Sequence, residues 1–256
     1  MSHRATTIAI VNQKGGTGKT SCCFNIGWLL SEKKKVLFID MDGQKANLSF
    51  FAGVKKDDDM LTISDVLYRN KPLSDAIINI KKNLDIVPAT NIVAGINQQA
   101  KISVLKKALD SVRDKYDYIL FDVNPSPQWA HFLSLSVSNY AIIPMLPDVT
   151  SLEGDTGVAE TLMQIKESTN PDLKVLGILV NKNVNNTNLS KAVKDMAGNI
   201  AEQIGTSVFD TKIRMAVVLS ENVSAHVGIT DYDPRSDAAN DVRAVVKEIE
   251  RRIKNA

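Results

Sequence analysis

Gln13-Lys14-Gly15-Gly16-Thr17-Gly18-Lys19-Thr20 is the stretch that decides the fold. It follows the β-branched run Thr6-Thr7-Ile8-Ala9-Ile10-Val11 and precedes a helix-length segment at 19–32. Glycines let backbone N–H groups curl around phosphate oxygens with no Cβ in the way. A helix starting near Lys19 aims its positive end at the same anion. Lys19 supplies a point charge for the β and γ phosphates, and the Thr20 hydroxyl is placed to ligate Mg²⁺. The ordinary pattern G-x-x-x-x-G-K-[ST] needs glycine at position 13, where this chain has Gln13. A second lysine, Lys14, heads the loop instead.

Working outward, further short apolar runs are Val36-Leu37-Phe38-Ile39, Leu84-Asp85-Ile86-Val87 and Tyr118-Ile119-Leu120-Phe121, then 140–145 and 175–180. They are mostly non-alternating, as parallel strands covered on both faces are. Helix-length segments separate them, clearest at 19–32, 98–114, 151–168 and 187–204. The alternation predicts an α/β fold: an open, mostly parallel sheet with helices on both faces. Ligands in such sheets bind at the carboxyl ends of strands. Asp40 and Asp122 stand at two of those ends. A carboxylate at Asp122 suits a water of Mg²⁺, which takes few protein ligands, and Asp40 could serve the same ion at one remove. Lys55 to Asp59 reads as an exposed charged loop, and 236–253 as a helix packing Val242, Val245, Val246, Ile249 and Ile253 on the core.

Composition sets the bounds. The chain has 256 residues, 44% hydrophobic and 23% charged, which is ordinary globular composition. Its formal charge of +2 excludes a histone-like protein but not a local basic patch. Cys22 and Cys23 are adjacent and form no disulfide framework. No apolar run reaches the roughly 18 residues of a membrane span, and Met1 to Thr7 is no signal peptide. The expectation is one cytoplasmic domain over residues 1–256.

These motifs resemble the ParA/MinD family of ATPases, whose deviant phosphate loop reads K-G-G-x-G-K-[ST]. Phe38-Ile39-Asp40-Met41-Asp42-Gly43-Gln44 is similar to the family's D-x-D-P-Q segment. Asp117 to Ser126 resembles its Walker B strand and the loop after it. Gly43 and Asn124 stand where the family usually has proline, and the Gln44-to-Asn47 spacing is one residue longer. The resemblance implies a P-loop NTPase fold with ATP and Mg²⁺ as cofactors. It implies nucleotide contacts from Lys14, Gly15, Gly16, Thr17, Gly18, Lys19, Thr20, Ser21 and Asn181. It implies a metal set of Thr20, Asp40 and Asp122. The catalytic set is Lys14, Lys19 and Asp42, with Asp42 matching the aspartate that orients water and Lys14 reaching a partner's nucleotide across an ATP-bound homodimer. Guanine readers use N-K-x-D; here Asn181-Lys182-Asn183-Val184 ends in a residue that accepts no hydrogen bond, so ATP is favoured.

The function implied is partitioning of a plasmid or chromosome. The ATP dimer binds double-stranded DNA without sequence preference, and a ParB-like partner stimulates slow hydrolysis. The chain begins almost at its first strand, so no N-terminal helix-turn-helix domain is expected. Localisation would be cytoplasmic and nucleoid-associated. Candidate DNA contacts are Lys191, Lys194, Arg214, Arg243, Lys247, Arg251 and Arg252. The alternatives are a MinD-like membrane-cycling regulator, which needs a bulky apolar anchor that residues 250–256 do not supply, and positioning of a non-DNA cargo. Iron–sulfur chemistry would need separated cysteines, which Cys22 and Cys23 are not.

Overall fold

The computed structural model describes residues 4–42, 45, 47–55, 57–89, 97–123, 128–147, 152–184 and 189–256. In chain order the elements are β1 (Thr6–Ile10), α1 (Lys19–Leu30), β2 (Val36–Asp40), α2 (Asn47–Phe51), α3 (Ile63–Arg69), a 3₁₀ turn (Leu73–Ala76), β3 (Ile78–Lys81) and β4 (Leu84–Val87). Then follow α4 (Ile102–Asp110), β5 (Tyr118–Asp122), α5 (Gln128–Val137), β6 (Tyr140–Met145), α6 (Leu152–Ser168) and β7 (Lys174–Val180). The chain closes with α7 (Leu189–Gln203), α8 (Val218–Ser224), α9 (Ile229–Tyr232) and α10 (Asp237–Asn255).

The seven strands form one sheet in the order β3-β4-β2-β5-β1-β6-β7. Every neighbouring pair is parallel except β3 with β4. Because strand side chains alternate, each central strand feeds two cores. Ala9, Leu37, Ile39, Ile119 and Phe121 face the helices α3 to α7. Ile8, Ile10, Val36, Phe38 and Leu120 face α1, α2, α8 and α10. The expected parallel sheet with two covered faces is what forms.

Two elements escape the periodicity. β3 is a short antiparallel edge strand with half-exposed residues. α5 contains Phe132-Leu133-Ser134-Leu135-Ser136-Val137, whose apolar–serine alternation imitates a strand. The helix accommodates its serines by back-bonding: Ser134 donates to the Ala130 carbonyl at 2.8 Å, and Ser136 to that of Phe132 at 2.7 Å.

Helix α1 lies close on the sheet. A Cβ at Gly27 would sit 2.1 Å from a ring carbon of Phe38 and 2.9 Å from Leu120 Cδ1. Cys22 and Cys23 are buried in the same layer, and burial pushes the Cys22 thiol up to about 12. They pack; they are not poised thiolates. α10 covers the far end of this face with Val242, Val245, Val246 and Ile249 buried and Ile253 packed alongside, as its sequence pattern predicts. Gly27→Ala should destabilise the protein by about 1–3 kcal/mol through overpacking. A lowered urea midpoint with an unchanged slope checks it, and an unchanged midpoint refutes the close-approach account.

Candidate functional site

The loop between β1 and α1 lies at the carboxyl edge of the sheet, beside the ends of β2 and β5. Gly16 and Gly18 take φ of +77° and +86°, a region other residues reach only under strain. A Cβ at Gly15 or Gly16 would meet nothing within 4 Å, so it is the positive φ at Gly16, not crowding, that calls for glycine there. Gly18 caps α1, and among the described residues no side chain bonds that helix end and its first turn carries no acid. Its N–H groups are left for an anion.

The loop is pinned at several points. Asn12 Nδ2 donates to the Pro144 carbonyl at 2.9 Å, while its Oδ1 accepts the Lys14 N–H at 2.8 Å. Gln13 Nε2 donates to the Gly157 carbonyl and to the Thr161 hydroxyl of α6, both at 2.9 Å. Asn181 Nδ2 donates to the Thr17 carbonyl at 2.8 Å. Lys19, 5% exposed, donates from Nζ to the Lys14 carbonyl at 3.0 Å. Gly18 abuts Asn181 so closely that a Cβ would lie 2.0 Å from its Nδ2.

Three carboxylates converge from neighbouring strand ends, since Asp40 and Asp122 are register partners across β2 and β5. Asp122 is fully enclosed, accepts from the Thr20 hydroxyl, and keeps its Oδ1 without a hydrogen-bond partner. Burial, then the nearby Asp40 charge, pushes its pKa up to about 8. Burial also raises Asp40 to about 6 and lowers Lys19 to about 8. Asp40 is engaged within the chain. Its Oδ1 accepts the Asp42 N–H at 2.9 Å, and its Oδ2 accepts the N–H and hydroxyl of Ser49 at 2.8 and 2.7 Å. It holds the segment that carries Asp42. Asp42 in turn accepts from Lys45 N at 3.0 Å and from Asn47 Nδ2 at 3.3 Å. Gly43, Gln44, Ala46 and Asn124 lie outside the described residues.

A cavity of about 740 Å³ opens over this edge. Gly15, Gly16, Gly18, Lys19, Thr20, Ser21 and Asp42 line one end; Asn181, Lys182, the stretch 214–217, Leu219 and Ser220 line the other. That second wall, Ser49, and the ties from Asn12 and Gln13 were missed by motif reading. Asn12 and Gln13 stand in the motif's lead-in, but their partners lie over 130 residues away. Lys182 adopts φ +55°, a strained conformation at the cavity edge.

The unpartnered Asp122 oxygen and the Thr20 hydroxyl beside it fit Mg²⁺. Among the described residues no three His, Cys, Asp or Glu side chains form a metal cage. An ion that takes most ligands from water and phosphate does not need one.

The expected DNA contacts separate. Arg252 is an internal residue: it pairs with Glu248 at 2.7 Å, donates to the Leu176 and Val208 carbonyls, and lies over the Phe209 ring. Arg214 is held by Asp237 and Asp241, and Arg251 by Asp210. Arg252 and Arg214 thus depart from the expected set, because their charge is already matched within the chain; the Arg251 pair is exposed and leaves that residue a candidate. Arg243 bonds Asn240, and Lys247 is exposed. Lys191 and Lys194 stand on α7 with side chains outside the described residues.

A strand, a glycine loop and a helix N-terminus with a buried lysine and strand-end carboxylates define a P-loop nucleotide-binding protein. A family model described as an AAA domain matches residues 5–175. The chain belongs to the ParA/Soj/MinD family of P-loop ATPases. It is 33% identical to the sporulation initiation inhibitor protein Soj of Bacillus subtilis, over 94% of this chain and 97% of that one. It is 31% identical to the chromosome partitioning protein ParA of Myxococcus xanthus, over 96% and 88%. Among solved structures, MinD of Pyrococcus horikoshii complexed with Mg-ADP matches with TM-score 0.76 at 27% identity, over 96% of each chain. A Cyanothece McdA variant in complex with ATP matches with TM-score 0.84 at 20% identity, over 97% of each, which shows the fold alone.

The buried carboxylates give stability a definite pH dependence. Between about pH 4 and 8 the unfolded chain releases protons that native Asp122 and Asp40 retain, so native stability falls as pH rises. Lys19 acts with the opposite sign, but only above about pH 8. Nucleotide-free protein should therefore show a lower denaturation midpoint at pH 8 than at pH 6, and Asp122→Asn should flatten that slope. An unchanged slope in the variant would remove Asp122 as its source.

Proposed function

We propose that this protein, folded as one ATPase domain, is an ATP-driven partition ATPase that dimerises around nucleotide and binds DNA without sequence preference in its ATP state. A ParB-like partner stimulates its slow hydrolysis. The observation that carries the reading is the pair of lysines in one loop. The Lys14 backbone is clamped on both sides, by Asn12 at its N–H and by Lys19 at its carbonyl. Lys19 points into the chain's own loop, which fits its role on the chain's own phosphates, while Lys14 heads the loop beside exposed glycines. A cation supplied across a dimer offsets transition-state charge and ties hydrolysis to assembly.

Each group has a part. Loop N–H groups and Lys19 bind phosphate. Thr20 and Asp122 would hold Mg²⁺, which when bound neutralises phosphate charge. Asp42, with both oxygens held by Lys45 and Asn47, orients the attacking water. Asn181 lines the base end of the cavity, and Val184 offers guanine no acceptor, which supports ATP. The partitioning activity follows the names of the relatives Soj and ParA. Against a membrane-cycling role, the apolar face of α10 is already buried on the core. The DNA surface falls to Lys247, Arg243 and Arg251 with Lys191 and Lys194.

Lys19→Ala should abolish nucleotide binding, seen as loss of the ATP titration signal. Asp42→Ala should bind ATP, stop hydrolysis and accumulate as a dimer in light scattering; normal turnover would reassign the water-orienting residue. Binding to a random-sequence duplex should require ATP and weaken steeply with salt. Lys247→Glu should weaken it and lower the salt slope by about 1 or more. Equal binding with ATP, ADP and no nucleotide would overturn the partition mechanism.

A further inference from the structure

The cavity wall opposite the phosphate loop is built as an extension of β7. Ile213 N–H donates to the Val180 carbonyl at 3.0 Å, Asn183 N–H to that of Ile213 at 2.9 Å, and Met215 N–H to that of Asn183 at 2.9 Å. Met215 and Val217, 68% and 75% exposed, put apolar side chains on the cavity lining. Behind the wall stands α10. Arg214 Nε donates to Asp241 Oδ2 at 2.7 Å and Nη2 to Asp241 Oδ1 at 3.0 Å. The Arg214 backbone N–H also donates to Asp241 Oδ2, at 3.1 Å. Nη1 donates to Asp237 Oδ2 at 2.6 Å. One carboxylate thus holds both the guanidinium and the main chain of a wall residue 27 positions away.

The two acids are unequal. Asp241 has 16% of its side chain exposed, Asp237 73%. A forked, partly buried pair is strong and directional, while an exposed one contributes little. Asp237 and Asp241 also lie four residues apart on α10, where like charges repel, and Arg214 between them offsets that repulsion.

We infer that Asp241 is a positioning residue for the nucleotide: through Arg214 it fixes the wall that receives base and ribose, while the glycine loop independently holds the phosphates. The inference rests on reading this cavity as the nucleotide site. It predicts a split between ligands with and without a base. A general structural role would not produce that split, since loss of fold removes both.

The test is calorimetric titration of the full chain with Mg-ADP and, separately, with Mg-tripolyphosphate, which has no base. Unaltered protein binds both. Asp241→Asn should bind Mg-ADP roughly tenfold more weakly and tripolyphosphate unchanged, as loss of a forked charge-assisted pair implies. Asp237→Asn should shift either ligand by less than about twofold. Should Asp241→Asn fail to fold by circular dichroism, Arg214→Lys keeps the charge, loses the fork and should show the same split. Unchanged Mg-ADP affinity in the folded variant, or parallel loss of both ligands, overturns the inference. Failure of the unaltered protein to bind either ligand is a different result, and it overturns the nucleotide reading together with this one.

Discussion

The structure is organised around charge that has been taken out of water. Lys19, Asp40, Asp42 and Asp122 are all buried at one edge of the sheet. Burial pushes the carboxyls of Asp40 and Asp122 up and the lysine down, so each resists its usual charge. Such a cluster is tolerable when hydrogen bonds satisfy it or when a ligand completes it. Asp40 is satisfied from within, by Ser49 and the Asp42 N–H. Asp122 keeps one oxygen open. That difference separates a supporting carboxylate from one available to a cation.

The same edge requires close packing beneath it. Gly27 lets α1 lie against Phe38 and Leu120, which places the helix N-terminus at the loop. Gln13 ties the loop to α6, and Asn181 ties it to the end of β7. The side-chain ties of the loop thus run to the β6–β7 side of β1, while α1 leads from it onto β2 and β5.

Much of this was legible in the chain. The parallel strands, the glycine loop, Lys19, Thr20 and the two strand-end carboxylates follow local rules of periodicity and spacing. Helix α5 was hidden because Ser134 and Ser136 satisfy themselves on the helix backbone and so mimic alternation. Arg252 on α10 is illegible for the converse reason. A sequence shows that Arg252 is charged but not that it lies over Phe209 and between two backbone carbonyls.

By itself the sequence determined the fold class and the phosphate loop, because both depend on residues adjacent in the chain: a β-branched run, glycines that allow φ above zero, then Gly-Lys-Thr opening a helix. Only the tertiary structure decided which carboxylate supports and which stays open, which arginines are matched, and what forms the far wall of the cavity. Those outcomes depend on burial and on partners that no motif names, from Asp40 with Ser49, nine residues on, to Arg214 with Asp241, 27 residues on. Charge and spacing carry no record of such pairings until the chain is folded.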